Sequence, residues 1–172
     1  MAGDSADSGT PRDGATQEKS SLTSSAATRW LLTAITAAGL AVDAYLHWRL
    51  APDFDTLVGT GSLQISQGQL FRIEAFLALI AMIVVLATRR RLGAVFAFLV
   101  AAGGLAAVLL YGYVDVGALG PLPDMHDPVW TAQKTISAVS QALAAAGALA
   151  LFLLPAPASR PEEQTRVRSA VE

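Results

Sequence analysis

The chain has 172 residues, of which 53% are hydrophobic and only 15% charged, against roughly 25% charged in soluble domains. Its net charge is −2 and it has no cysteine. These values exclude an ordinary soluble enzyme domain, a disordered chain, disulfide or thiolate-metal chemistry, and a nucleic-acid binder, which needs a basic surface to release counterions.

Residues 1–28 are rich in Ser, Thr, Gly, Asp and Ala and lack apolar periodicity, so they are expected to be a disordered tail. They do not read as a signal peptide, because the first apolar segment starts only at Trp30 and is long enough to span a bilayer. Four apolar segments follow, at 30–50, 70–88, 92–113 and 129–154. Each meets or approaches the roughly 20 residues that a spanning helix needs. The stretch AFLALIAMIVVLA (75–87) is apolar on every side, unlike a soluble amphipathic helix. Gly103-Gly104 is costly in a soluble helix, whereas in lipid it allows close helix approach. Only Arg89-Arg90-Arg91 joins the second and third segments, which predicts an antiparallel hairpin. Asp127-Pro128 reads as an N-cap followed by proline at the first helical position, and Pro155 and Pro157 end the fourth helix. Residues 156–172 form a second polar tail.

The expected fold is therefore an all-α, four-helix transmembrane bundle, up-down-up-down, with helices within residues 29–155. Nine of the 12 basic residues lie on one side: Arg12, Lys19 and Arg29, then Arg89, Arg90 and Arg91, then Arg160, Arg166 and Arg168. The other two loops carry Asp53, Asp55, Asp115, Asp124 and Asp127 and no Lys or Arg. Ten Arg against two Lys, with abundant Ala and Gly, hint at a GC-rich bacterial genome, and the positive-inside rule then places both tails in the cytoplasm, with the acidic loops outside. Trp30, Trp48, Tyr111, Tyr113 and Trp130 fall near the expected interfaces.

The ionisable residues of the spans gather at the outer end. They are Asp43, His47 and Arg49 in the first, Arg72 and Glu74 in the second, Asp115 ending the third and Lys134 in the fourth. An intramembrane charge costs several kcal/mol unless paired or hydrated. The cluster Asp43, His47, Arg72, Glu74, Asp115 and Lys134 thus reads as a polar pocket opening outward. Asp43 and His47, at i and i+4, share one face with Thr36 and Gly39, as a proton-handling or ligand-binding pair requires. The structural alternative is that Asp43 pairs with Arg72 or Lys134 to hold the bundle together. Lys134, Ser137 and Gln141 form a stripe that Ala144 and Ala148 continue. It either lines the same cavity or supplies interhelical hydrogen bonds, with Lys134 reaching toward the interface.

Asp124-Met125-His126-Asp127, together with His47, offers oxygen and imidazole ligands suited to Zn, Mn or Cu(II), but the spacing matches no specific motif and no metal site is expected. Haem would need axial ligands, and only His47 lies on a helix. Gly59-Thr60-Gly61-Ser62 lacks the lysine and helix of a phosphate loop and reads as a turn. No inverted repeat and no Walker, Rossmann, nucleophile-elbow or zinc-protease pattern is present.

The stretches DAYLHWRLAPDFD (43–55), FRIEA (71–75) and YVDVGALGPLP (113–123) resemble a group of uncharacterised small four-helix integral membrane proteins of high-GC actinobacteria. A looser similarity is to DoxX-like membrane proteins, which have a Glu early in the second helix, here Glu74. That second resemblance implies a quinone or redox link, and neither implies catalytic residues. Small size and the lack of a catalytic motif favour a non-enzymatic accessory or assembly component. Its partners would be the lipid bilayer and a membrane-protein complex or further copies of itself, with no nucleic acid and no cofactor called for. The alternatives are a small-ligand or proton binding or transport module using the outer pocket, and a DoxX-like redox-linked protein.

Overall fold

A computed structural model describes residues 12–60, 63–88 and 90–155, with side chains from Ala26 onward. It is all-helical: α1 (Arg12–Leu50), a 3-10 turn (Ala51–Phe54), α2 (Gln67–Thr88), α3 (Arg91–Tyr113) and α4 (Ala132–Leu153). The four apolar segments of the sequence correspond to these four helices. Each is long and apolar enough to cross a membrane, the first over Ala26–Phe54.

Three boundaries differ from expectation, each for a local reason. First, α1 begins at Arg12, inside the stretch expected to be a disordered tail. Residues 12–28 contain no proline and include Ala, Gln, Glu and Lys. Once the apolar part nucleates the helix, such residues propagate it at one hydrogen bond each. The rest of that tail (1–11), the C-terminal tail (156–172) and Arg89 of the arginine turn lie outside the described residues. Second, α2 starts at Gln67 through a capping box. Ser66 N–H donates to Gln69 Oε1 (2.9 Å) and Gln69 N–H donates to Ser66 Oγ (3.0 Å). Third, α4 is capped by Thr131, not Asp127, since the Thr131 hydroxyl accepts from Lys134 N–H at 3.2 Å. Asp127 instead accepts from Val129 N–H (3.1 Å), a local turn that keeps the chain extended through Pro128.

α1 packs against α2 and α4, and α3 against the same two, so the helices close into a ring with α1 and α3 diagonal. The core is built from small side chains: Ala78, Ala81, Ala97, Ala101, Ala144 and Ala148 are wholly buried around Leu40 and Val85. Large apolar side chains point outward instead, among them Leu31 (61% exposed), Ile83 (53%) and Leu99 (62%). α1 and α4 approach closely where Gly39 meets α4. A Cβ there would stand 2.6 Å from Ser140 O and 3.0 Å from Ala144 Cβ.

The two long connections lie together at one end. Thr60 N–H donates to Gly120 O (3.0 Å) and Ile65 N–H to Pro121 O (3.1 Å). Gly59 is pressed against the second loop, where a Cβ would fall 2.0 Å from Pro121 O. At the opposite end the Arg29 guanidinium donates to Pro155 O.

Candidate functional site

Asp43 is wholly buried on the face that α1 presents to α4. Its Oδ1 accepts from Gln141 Nε2 (2.7 Å) and from Ser137 Oγ (3.3 Å), and lies 3.0 Å from His47 Nδ1. The same imidazole nitrogen is 3.0 Å from Asp43 O, so one helical turn of α1 sets the ring. An edge-on contact with Phe71, centroids 5.1 Å apart, holds the ring on its other side. Gln141 is also wholly buried.

Glu74 of α2 reaches the same region, where α3 makes room for it. A Cβ on Gly104 would stand 2.5 Å from Gln141 Nε2 and 2.8 Å from Glu74 Oε1. Any larger residue would displace both groups. Three buried oxygens in this cluster have no hydrogen-bond partner: Asp43 Oδ2, Glu74 Oε1 and Gln141 Oε1. Buried polar atoms are nearly always bonded, so a group of three is a feature to be explained.

The other members of the expected cluster are elsewhere. Arg72, expected to pair with Asp43, binds Asp55 through two parallel bonds of 2.7 Å. Lys134 places its ammonium on Asp127 O (2.5 Å), Asp127 Oδ2 (2.8 Å) and Val129 O (2.8 Å), which uses all three donors. Both basic residues sit within one to two turns of a helix N-terminus and turn toward loop aspartates, whose charge is not offset by burial. Asp115 is exposed and caps its own turn by accepting from Gly117 N–H at 3.1 Å. These contacts leave Arg72–Asp55 and Lys134–Asp127 as the Lys and Arg ion pairs among the described residues, beside the His47–Asp43 contact. Hydrogen bonds from Arg72 hold the Asp55 carboxyl below its ordinary value, and the bond from Lys134 does the same for Asp127.

A cavity of about 650 Å³ lies between the helices on the loop side of this cluster. His47, Glu74 and Ser137 line it at depth, Phe54, Phe71 and Tyr111 form aromatic wall, and Gly103-Gly104 forms the α3 side. Leu122 and Met125 from the second loop, with Asp53, Asp127 and Lys134, line it nearer the loops. Asp43 and Gln141 stand behind this lining, joined to it through Ser137 and His47. The aromatic wall and the role of Gly104 were missed by the sequence reading, for which the Gly-Gly pair was the available signal.

The loop residues considered as metal ligands have other partners. His126 Nδ1 lies 3.1 Å from Tyr111 O, and Asp124 Oδ1 accepts from His126 N–H at 2.9 Å. Among the described residues no three of His, Asp and Glu converge as a metal centre requires. Comparison with protein families, with curated proteins and with solved structures finds no match to this chain.

Proposed function

We propose that this protein is a multi-pass protein of the bacterial plasma membrane that binds a small ligand in the cavity between its four helices. The helices run up, down, up and down, with both termini cytoplasmic and the acidic loops outside. Support for the membrane comes from four helices of spanning length that turn large apolar side chains outward over small-residue contacts. Extended exposed apolar surface of this kind marks contact with a membrane or a partner. Support for the orientation comes from the segregation of basic residues.

The ligand reading is carried by one observation: a cavity of ligand size is backed by a buried polar cluster that is not self-satisfied. The structural alternative for the Asp43–His47 pair asks Asp43 to be neutralised by Arg72 or Lys134, and both cations are committed to loop aspartates.

Native mass spectrometry of the full chain extracted in mild detergent tests this. The expected result is a one-to-one adduct that the His47→Ala and Glu74→Ala variants lose. A bare chain, with those variants altering only the retention of partner proteins, would return the protein to the accessory-subunit reading. An adduct of quinone mass would support the redox link that the DoxX resemblance implies.

A further inference from the structure

We infer that the ligand of this cavity is an amphiphilic amine, with an apolar or aromatic body and a protonated amino head group. This rests on the binding reading above and adds the chemical class.

The unmet hydrogen bonds of the cluster all have one sign. Asp43 Oδ2, Glu74 Oε1 and Gln141 Oε1 are all oxygens. The Gln141 amide cannot present its nitrogen instead, because Nε2 already donates to Asp43 Oδ1 at 2.7 Å. A head group made of acceptors, such as a carboxylate, a phosphate or a carbonyl, meets none of the missing donors here. An ammonium brings three.

The balance of charge also favours a cation. Asp43 and Glu74 bring two carboxyls against one imidazole, and the neighbouring cations are spent on Asp55 and Asp127. Removing one partner from a buried charge is expensive, so a site short of cation gains most from a cationic ligand.

The position of these groups points the same way. Glu74 Oε1 and the Gln141 amide both lie against the Cα of Gly104, which lines the cavity. Of the three residues with unmet oxygens, Glu74 lines the cavity itself, and Asp43 and Gln141 stand directly behind the lining. Phe71 and Tyr111 stand on the same cavity, and aromatic faces attract ammonium groups. The cavity is large enough for the apolar body of such a molecule. Lys134, the cation that lines it, is neutralised by Asp127, and Asp53 adds a second carboxylate to the lining.

The test uses three isosteric probes on the full chain in lipid nanodiscs: 4-phenylbutylamine, 4-phenylbutan-1-ol and 4-phenylbutyrate. Binding is read by native mass spectrometry and by the shift of the thermal midpoint with probe concentration. The amine is expected to bind one per chain, about tenfold tighter than the alcohol or more, as charge-assisted bonds require, with no saturable binding of the carboxylate. Glu74→Gln should bring the amine down to the alcohol's affinity and leave the alcohol unchanged. Alcohol or carboxylate binding as tight as the amine's overturns the amine class while the cavity stands as a binding site. If none of the three binds, and the chain also purifies without an adduct, the binding reading itself falls. Because the comparison among probes is made on the unaltered chain, it holds even if a variant fails to fold.

Discussion

Asp43 accepts two hydrogen bonds on Oδ1, which also lies 3.0 Å from His47 Nδ1, and leaves its other oxygen bare, so substitutions there separate bonding from charge. Asparagine can keep its oxygen where Oδ1 stands and put its amide where no partner is lost. Asp43→Asn is therefore expected to unfold within about 1 kcal/mol of the parent, whereas Asp43→Ala strands the Gln141 amide and should cost about 1–3 kcal/mol. Reversible unfolding in mixed detergent micelles checks both, and equal losses would show that Asp43 does not organise the cluster. Gly104 gives the complementary case. In Gly104→Val the side chain would occupy the space held by Gln141 Nε2 and Glu74 Oε1. Amine binding should fall at least about tenfold, the same order as removing a charge-assisted bond. At this scale the sequence carried the ionisable residues and the Asp43–His47 pair, but not the partners of Arg72 and Lys134. Asp43, His47 and Glu74 stand out as charges inside apolar helices. That Arg72 and Lys134 turn to Asp55 and Asp127 depends on loop geometry that periodicity does not encode.

At the scale of elements, the helix starts rest on side-chain caps that are separable from the site. Thr131→Ala removes the hydroxyl that accepts from Lys134 N–H. It should lower stability by about 1 kcal/mol and loosen the lysine that Thr131 positions. Amide hydrogen exchange would show this as lost protection over the first turn of α4, with α1 to α3 unchanged. The four apolar segments were legible because a helix apolar on all sides has one reading at that length. Their ends were less so. Ser66-x-x-Gln69 is a capping signature visible in the sequence, yet Asp127-Pro128 is an equally good signature that the chain does not use. Which cap wins is decided by where the loop can reach: Asp127 is held by Lys134 and by its own turn, and Thr131 is left to start the helix.

Over the whole molecule, the ion pairs outside the core divide from the cluster inside it. Asp55 and Asp127 are both held below the ordinary carboxylate value by their basic partners. A carboxylate depressed in the folded state contributes stability that is present above its unfolded value, about 3.9, and is lost as pH falls through the folded value. Protection of the loop amides should thus stay flat from pH 8 to about 5 and decline below about 4. The exposed Arg72–Asp55 pair adds little energy, so Asp55→Asn should flatten that decline without changing the bundle's thermal midpoint at neutral pH. Orientation is testable because the chain has no cysteine. A single cysteine replacing Asp124 should react with a membrane-impermeant maleimide in intact cells, and one replacing Ser159 only after lysis. The reverse pattern would invert the topology.

The clasp between Thr60, Ile65 and the Gly120-Pro121 backbone bears on time rather than on affinity. Its second loop leads directly into Leu122 and Met125 of the cavity lining. Loosening it, as Gly59→Ala would by forcing Pro121 away, leaves the polar cluster and its equilibrium with ligand unchanged. Association and dissociation rates would then rise together. A molecule that instead slipped in sideways between helices, from the lipid, would keep the same residence time whether the clasp was shut or sprung.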